Sequence, residues 1–177
     1  MRVRSARSDD LKDCLALDDA YETEVAWQVE ELHGGDGWGM RFREVRLPRK
    51  QVVKPPFFTP EDRLRAWQRR DGFWVATERG HVCGYLAVLL ELDHQQVRVT
   101  DLVVDPTHRR QGVGSQLLQY AIAWSLRQDV EQVILECSLK ASPAIAFVKK
   151  HGFAICGFQD AYWPGQEVGL FFRKRIR

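Results

Sequence analysis

A strand that runs into a glycine-rich helix start is the feature that most restricts the fold of this 177-residue chain. Residues 101–104 form the end of an apolar strand, and Gly112 and Gly114 open the following helix. Helix N-termini carry unpaired backbone N–H groups and the positive end of the helix dipole, so they can bind phosphate oxygens. Arg109 and Arg110 add positive charge there. The alternative is an ordinary helix start whose glycines only serve a tight turn.

Two common phosphate-binding loops do not fit this segment. A Walker loop requires a lysine and then serine or threonine after its last glycine, whereas Gly114 is followed by Ser115 and Gln116. The dinucleotide fingerprint requires a third glycine three residues further on, where Leu117 stands. The segment also follows the fourth or a later strand, not the first strand of a nucleotide-binding unit. The sequence therefore excludes both loops.

The order of the predicted elements indicates a mixed sheet. Strands at 73–78, 84–92 and 97–104 follow one another through polar turns, which favours an antiparallel meander. After Pro106 the pattern alternates between helix and strand, as in a βαβ unit. We predict an α/β fold (an α+β mixed sheet) with an antiparallel N-terminal half, a βαβ half and helices on both faces. The other predicted elements are a strand at 3–6, helices at 11–17, 59–70, 112–128 and 143–150, and strands at 133–137, 153–158 and 168–173, the last of which closes the sheet.

The region before the meander has a different character. Strands at 27–32 and 38–47 flank a glycine-rich turn at 33–37, which predicts a hairpin. Pro48 and the proline pair at 55–56 are predicted to interrupt it. Five aromatic side chains are predicted to contribute to the core or to a pocket wall: Trp27, Trp38, Phe57, Phe58 and Trp67.

Composition restricts the cellular setting. The chain has 45% hydrophobic and 28% charged residues and a formal net charge of +2, as expected of a globular domain without a strong field towards nucleic acid or membrane. The longest apolar run, 85–90, is far shorter than the ~20 residues that cross a bilayer, and no apolar signal core follows Met1. The four cysteines are scattered and no histidines stand at metal-ligand spacing. We expect a cytoplasmic protein with reduced thiols and no metal site.

Two motifs together resemble the GNAT superfamily of acetyl-CoA-dependent N-acetyltransferases. Segment 109–114, Arg-Arg-Gln-Gly-Val-Gly, is similar to the family's R/Q-x-x-G-x-G/A signature, and segment 144–153 is similar to its A-x-x-x-(Y)-x-x-x-G-F helix. The two motifs in this order are far more specific than either alone. The resemblance covers about 73–172 and implies one GNAT domain over 1–177. Region 21–58 is then a variable acceptor-side hairpin, loosely similar to that of streptothricin-acetyltransferase-like members.

This resemblance implies acetyl-CoA as the co-substrate. Backbone amides around Gly112 and Gly114 would bind the pyrophosphate. Strand residues 102–104 would hydrogen-bond the pantetheine arm, and one of their amides would polarise the acetyl carbonyl, a contact worth on the order of 3 kcal/mol in comparable sites. The residues implied to contact the coenzyme are Leu102, Val103, Val104, Arg109, Arg110, Gln111, Gly112, Val113, Gly114 and Ser115.

Acetyl transfer to an amine requires a base more than an acid. The neutral form of an amine with a pKa near 10.4 costs roughly 4.6 kcal/mol at pH 7, whereas a thiol with a pKa of about 8.5 leaves as thiolate for about 2 kcal/mol. Glu136 is the first candidate base, because an unpaired acid is costly to bury in its strand and because many family members, including those that resemble streptothricin and ribosomal-protein acetyltransferases, carry a strand glutamate there. The alternative is a glutamate at the exposed end of the sheet that pairs with a lysine such as Lys140.

Two further side chains are catalytic candidates. Asp101 shares the alternation of Val97, Val99 and Val103, so without a bulge it would point to their apolar side. A capping or turn-stabilising role is the alternative for Asp101. Tyr162 is predicted in a loop that commonly borders the acceptor site in the family. It would replace a missing acid, line the substrate pocket or only pack the loop.

The sequence departs from the family pattern at two positions. Val148 stands where many members carry the tyrosine that protonates the leaving thiolate, and Ala141 replaces the common asparagine near the start of that helix. The low cost of a departing thiolate indicates that the loss of an acid is tolerable. A mechanism copied whole from the family is therefore in doubt.

The sequence thus predicts an enzyme that transfers acetyl to a small polyamine or antibiotic-like primary amine by direct attack in a ternary complex. A peptide N-terminal amine or a lysine is one alternative, and a non-catalytic acyl-CoA-binding regulatory module is another. We expect no membrane or nucleic-acid partner, and a homodimer is left open. Two basic stretches are interpreted as solvated sheet faces, with RNA or ribosome proximity as the alternative: Arg41, Arg43, Arg46, Arg49 and Lys50, and Arg173, Lys174, Arg175 and Arg177.

Overall fold

The computed structural model describes residues 1–35, 37–54 and 59–177. Pro55 and Pro56, Phe57 and Phe58, and the side chain of Trp38 lie outside the described residues. The strands are β1 Arg2–Ser5, β2 Tyr21–Gly34, β3 Gly37–Val53, β4 Gly72–Glu78, β5 His81–Glu91, β6 Gln96–Val104, β7 Gln132–Ser138, β8 Ala154–Trp163 and β9 Glu167–Arg175. The helices are α1 Asp10–Ala16, α2 Pro60–Trp67, α3 Val113–Ser125 and α4 Ser142–Lys150, with short 3-10 turns at Leu92–His94 and Pro106–His108.

Seven strands form a mixed sheet in the order β1-β4-β5-β6-β7-β9-β8. β4, β5 and β6 pair antiparallel, and β6 pairs in parallel with β7 across the connecting helix α3. The predicted antiparallel half followed by a βαβ half is therefore confirmed. The prediction that the last strand closes the sheet is wrong: β9 lies between β7 and β8, which leaves β8 at the edge.

Helices cover the sheet on both faces, as predicted. On one face, the apolar stripe of α3 buries Leu117 and Leu118 completely, and Ile145 of α4 joins the same core. On the other face, Cys14 of α1 and Trp67 of α2 belong to a smaller apolar cluster. The sheet is therefore the middle layer of the molecule, and each face has its own core.

A β-bulge in β6 reverses the alternation of its side chains. Ala87 pairs with Asp101 and Val88 pairs with Val99, so Thr100 is an extra residue in β6. Beyond this bulge, Asp101 faces the side of the sheet that α1 and α2 cover. The prediction that Asp101 shares the apolar side of Val99 is wrong, because it depended on a strand without a bulge.

The separate hairpin of β2 and β3 is longer than predicted. Its strands extend well beyond the predicted 27–32 and 38–47. Pro48 does not interrupt β3, because residues 47–50 lie opposite Glu24 in a bulge. A proline in a bulge removes no ladder hydrogen bond, so the strand continues past it.

Charges on the hairpin are paired across its two strands. Arg43 donates a 2.7 Å hydrogen bond to Glu30, and Lys50 forms an ion pair with Glu22. Such cross-strand pairs stabilise exposed hairpins modestly. They favour the interpretation of the basic residues of β3 as a solvated face.

Two of the predicted aromatic residues pack as expected. Trp67 is 5% exposed in the cluster beneath α2, and the half-buried Trp27 packs against the larger core. The backbone N–H of Trp27 also donates to the carbonyl of Leu139 at 2.8 Å. This bond fastens the hairpin to the chain just beyond β7.

Candidate active site

The two parallel strands at the centre of the sheet separate along their length. The ladder of β6 and β7 runs only from the pair Gln96–Gln132 to the pair Val99–Leu135. Beyond that point, the described residues of β6 pair only with β5, and those of β7 only with β9. Buried backbone amides require partners, so the gap suits an extended ligand that carries its own amide groups. Leu102, Val103 and Val104, predicted to bind pantetheine, lie along the β6 edge of this gap.

Helix α3 begins beside the same gap without a side-chain cap. Gly112 is its N-cap residue and has a φ of +87°, a left-handed conformation that favours glycine. The N–H groups of the first turn are therefore available to a ligand. A Cβ on Gly114 would lie an ordinary 3.5 Å from the ring of Phe147, so the protein itself does not require glycine there. A ligand that approaches the Gly114 backbone closely would require glycine at this position.

The Arg109 side chain is engaged inside the protein. Its Nε donates to the carbonyl of Val104 at 2.9 Å, its Nη1 to that of Ala20 at 2.7 Å and its Nη2 to that of Asp18 at 2.9 Å. The sequence predicted this arginine as a coenzyme ligand. Its placement instead joins the end of β6 to the segment that enters the hairpin.

The other predicted side chains of the turn differ in their availability. Gln111 donates to the carbonyl of Thr107 at 2.8 Å, and the Ser115 hydroxyl lies 3.0 Å from Nε2 of His151. Arg110 is exposed and forms no ion pair within the described part of the chain. It is therefore the charged side chain of this turn that is open to an incoming phosphate.

Glu136 and Tyr162 come together around an arginine that the sequence analysis missed. Arg98 Nη1 donates to Glu136 Oε1 at 3.1 Å and to the Tyr162 hydroxyl at 3.4 Å, and its Nε donates to Glu91 at 2.8 Å. The Glu136 side chain is only 8% exposed. A nearly buried carboxylate requires such a partner. Lys140, the partner considered from sequence, pairs with Glu167 instead.

Tyr162 lies in β8, and not in the loop that the sequence predicted. Its ring packs against Phe171, with the ring centroids 5.1 Å apart. A Cβ on Gly169 would lie 2.6 Å from the Tyr162 ring, so only glycine lets the ring lie across β9. Gly169 thereby directs the phenol hydroxyl towards Arg98 and Glu136.

Tyr162 stays protonated at neutral pH. Burial raises the pKa of Tyr162 to about 12, together with the hydrogen bond to Glu136 and the negative charge of that carboxylate, and the charge of Arg98 opposes the rise only partly. The phenol therefore keeps its proton at physiological pH and can donate it in a hydrogen bond towards Glu136.

Asp101 lies apart from this group. Its carboxylate accepts a 2.8 Å hydrogen bond from the Thr100 hydroxyl and lies 3.8 Å from Nε of Arg70. The oxygen of the same Thr100 hydroxyl lies 3.2 Å from the carbonyl of Ala87, so its one hydrogen is shared between the two acceptors. These contacts stabilise the bulge, and nothing places Asp101 within hydrogen-bond reach of Glu136 in the described chain.

A sequence signal for Arg98 existed. It is a lone charged residue between Val97 and Val99, both buried, in a central strand. A charge at such a position requires a counter-charge on a neighbouring strand. Glu136 is the acid of β7 that lies two residues beyond Ile134, the register partner of Arg98, and therefore on the same face of the sheet. Gly169 carried no comparable signal, because its role depends on a ring that approaches from another strand.

The position where the resemblance implies a tyrosine acid is occupied by a core residue. Val148 of α4 is 1% exposed and packs in the larger core, and Ala141 caps α4 without a side-chain hydrogen bond.

Among the described residues, no group of His, Cys, Asp or Glu is arranged to hold a metal ion. The described helices include none with the length and apolar character of a membrane span.

Comparison with known proteins gives a consistent result. Residues 40–153 match the acetyltransferase (GNAT) family model. The chain is 27% identical over 164 residues to streptothricin acetyltransferase from Streptomyces lavendulae, a match that covers 92% of this chain and 86% of the relative. The structure of nourseothricin acetyltransferase superposes with a TM-score of 0.83 at 24% identity, over 99% of this chain and 98% of the other. A Bacillus anthracis protein solved with acetyl coenzyme A superposes with a TM-score of 0.77 at 17% identity, over 99% of each chain.

Proposed function

Because this chain belongs to the acetyltransferase (GNAT) family and is an acetyl-CoA-dependent N-acetyltransferase, we propose that it acetylates a small amine of the antibiotic or polyamine type. The likeness to streptothricin acetyltransferase carries the choice of acceptor, because it extends over 92% of the chain and so includes most of the hairpin as well as the coenzyme motif. A cytoplasmic location is part of this proposal and is consistent with four free cysteines, three of them buried.

Backbone groups would bind the coenzyme. The uncapped N-terminus of α3 would hold the pyrophosphate, with Arg110 adding charge from the turn. The free edge of residues 102–104 would hydrogen-bond the pantetheine amides. Acetyl-CoA supplies a thioester whose carbonyl carbon the amine attacks directly. An amide N–H of β6 aimed at that carbonyl oxygen would stabilise the negative charge that develops on it.

Glu136 would receive the proton of the acceptor amine, directly or through one water. Arg98 keeps this carboxylate oriented, and the protonated Tyr162 would donate a second hydrogen bond to it. Glu91 and Glu136 place two carboxylates against the one guanidinium of Arg98. An excess of negative charge at this position favours an acceptor that arrives as a cation.

Tyr162 fits an orienting role better than an acidic one. Proton transfer from a phenol with a pKa of about 12 to a thiolate would be unfavourable, because the thiol's ordinary pKa is about 8.5. The thiolate can leave unprotonated for about 2 kcal/mol at pH 7. The buried Val148 is therefore compatible with turnover.

Thiol release tests the proposal. The purified protein is mixed with acetyl-CoA and, in separate reactions, streptothricin, a polyamine, a peptide with a free N-terminus and a lysine-containing peptide. We expect thiol release with streptothricin or the polyamine, and a large loss of that release in Glu136→Gln. Release with peptides alone would favour the peptide acceptor. Binding of acetyl-CoA without release in any reaction would favour a non-catalytic module.

A further inference from the structure

The Arg109 guanidinium forms a bridge between two parts of the molecule. One side of its fork holds the carbonyl of Val104, the last residue of the strand proposed to bind pantetheine. The other side holds the carbonyls of Asp18 and Ala20, which directly precede β2. Val104 is far from Asp18 and Ala20 in sequence, and one side chain fixes the relative position of these two parts of the chain.

A second arginine holds the same segment from the opposite direction. Arg63 of α2 forms an ion pair with Asp19, and its Nη1 lies 3.3 Å from the hydroxyl of the fully buried Tyr85. The segment 17–20, which we call the entry segment, is thus held between α2 and the turn at residues 105–112, which we call the coenzyme turn. It has no regular secondary structure of its own to hold it in place.

The shape of the guanidinium matters more here than its charge. Arginine presents its donors in a rigid planar fork and can bond several carbonyls at once, whereas lysine offers a compact charge on a flexible stem. The half-buried Arg109 donates hydrogen bonds from Nε, Nη1 and Nη2 to uncharged backbone carbonyl oxygens. The exposed neighbour Arg110 has a φ of +64° and forms none of these bonds.

We propose that Arg109 is a positioning residue that fixes the acceptor-side entry segment to the coenzyme turn, and that it is not a coenzyme ligand. The proposal rests on the proposed function only for the identity of the two substrates. If acetyl-CoA binding orders the coenzyme turn, the hydrogen bonds of Arg109 would order the entry segment as well. By thermodynamic reciprocity, the entry segment acts back on acetyl-CoA affinity. This effect on the Kd is small as long as the segment is ordered most of the time with and without acetyl-CoA.

The test compares Arg109→Gln and Arg109→Lys with the adjacent control Arg110→Gln. Calorimetry measures the Kd of acetyl-CoA, and hydrogen exchange follows the amides of residues 17–24 with and without acetyl-CoA. No acceptor is used, so a wrong choice of amine cannot affect the result. Thermal unfolding checks that each variant is folded, and Arg109→Lys serves if Arg109→Gln does not fold.

We expect both Arg109 variants to exchange at least about tenfold faster in residues 17–24 and to lose the protection that acetyl-CoA confers there, because local hydrogen bonds govern local opening. Their Kd for acetyl-CoA should stay within about threefold of that of the native protein, because the charge of Arg110 remains. Arg110→Gln should weaken acetyl-CoA about fivefold, a typical effect of an exposed charge near a helix N-terminus, with unchanged exchange in residues 17–24.

The opposite pattern would overturn the proposal. If Arg109→Gln weakens acetyl-CoA tenfold or more, Arg109→Lys restores the affinity and exchange in residues 17–24 is unchanged, Arg109 is a coenzyme ligand. If the native protein itself fails to bind acetyl-CoA, the coenzyme part of the proposed function fails. The exchange rates of the free proteins still decide whether Arg109 holds the entry segment.

Discussion

The two faces of the central sheet are built in different ways. On the face of α3 and α4, apolar side chains form one continuous core in which residues such as Leu117 and Val133 are fully buried. On the other face, α1 and α2 cover mainly β4 and β5. The part of this face on β6 to β8 carries a hydrogen-bonded polar group, with Arg98 and Glu136 at its centre.

This difference suggests that one face of the sheet supports coenzyme binding and the other supports the transfer reaction. The apolar face fixes the direction of α3, and with it the helix N-terminus proposed to bind the coenzyme. The polar face carries Glu136, beside which the proposed function places the acceptor amine. We therefore expect substitutions on the coenzyme side to change the Kd of acetyl-CoA, and substitutions in the polar group to change kcat.

The largest expected effect is that of Glu136→Gln. Loss of the proposed base should lower kcat by about 100-fold or more, since general base catalysis typically contributes that much. The Kd of acetyl-CoA should change little, because Glu136 is not among the groups proposed to hold it. Steady-state thiol release measures kcat, and calorimetry measures the Kd of acetyl-CoA. An unchanged kcat would remove Glu136 from the mechanism.

On the coenzyme side, Gly112→Ala should weaken acetyl-CoA about tenfold. A left-handed φ costs a non-glycine residue roughly 1–2 kcal/mol, and relief of this strain would turn the first N–H groups of α3 away from the pyrophosphate. Gly80 has a φ of +89° and also has open space around its Cβ position, so Gly80→Ala is the matched control. Equal loss of affinity in both variants would refute a specific role for Gly112.

A smaller effect is expected for Gly169→Ala on the polar face. Its Cβ would displace the whole Tyr162 ring, so that both the phenol and the packing beside Glu136 change. We expect kcat to fall by roughly threefold to tenfold, which corresponds to about 1 kcal/mol and exceeds the loss of the phenol hydroxyl alone. Gly157→Ala in β8, where a Cβ meets no atom within 4 Å, is the control. The Kd of acetyl-CoA should stay constant in both. A loss of kcat in Gly157→Ala of the same size would attribute the effect to the sheet edge in general.

Tyr162→Phe should have the smallest effect. The raised pKa of Tyr162, about 12, keeps the phenol protonated below pH 10, so its titration contributes nothing to the pH profile between pH 6 and 9. We expect an unchanged profile shape and a kcat within about threefold of the native value, because one supporting hydrogen bond is lost. In the native protein, the protonated phenol contributes to the free energy of unfolding, and this contribution should be lost only as the pH rises from about 10 towards 12. A kcat that collapses would restore Tyr162 as the acid.

Local patterns were sufficient to locate the helices and the main-sheet strands along the chain. Hydrophobic periodicity located the four helices and the main-sheet strands, and turn residues marked most of their ends. Thr59 forms the capping box with Asp62 that the sequence signals at the start of α2. The long hairpin was underestimated because a bulge absorbed Pro48, and a bulge depends on pairing with another strand.

The candidate site was only partly accessible from sequence. The glycine motif marked the start of α3, because a helix N-terminus is a local feature. The direction of Asp101 was wrong, because the bulge at Thr100 is set by the register with β5. Arg98 was missed, although the isolation of its charge in an apolar strand was visible.

The amino-acid sequence by itself determined the order of strands and helices, the glycine-rich start of α3 and the family to which these belong. All of these depend on neighbours within a few residues, where backbone geometry and side-chain periodicity act directly. Only the tertiary structure decided which distant groups meet: the guanidinium of Arg98 with the carboxylate of Glu136, and the guanidinium of Arg109 with backbone carbonyls of the entry segment. Contacts between distant residues depend on strand register and bulges, and a shift of one residue turns each side chain to the opposite face.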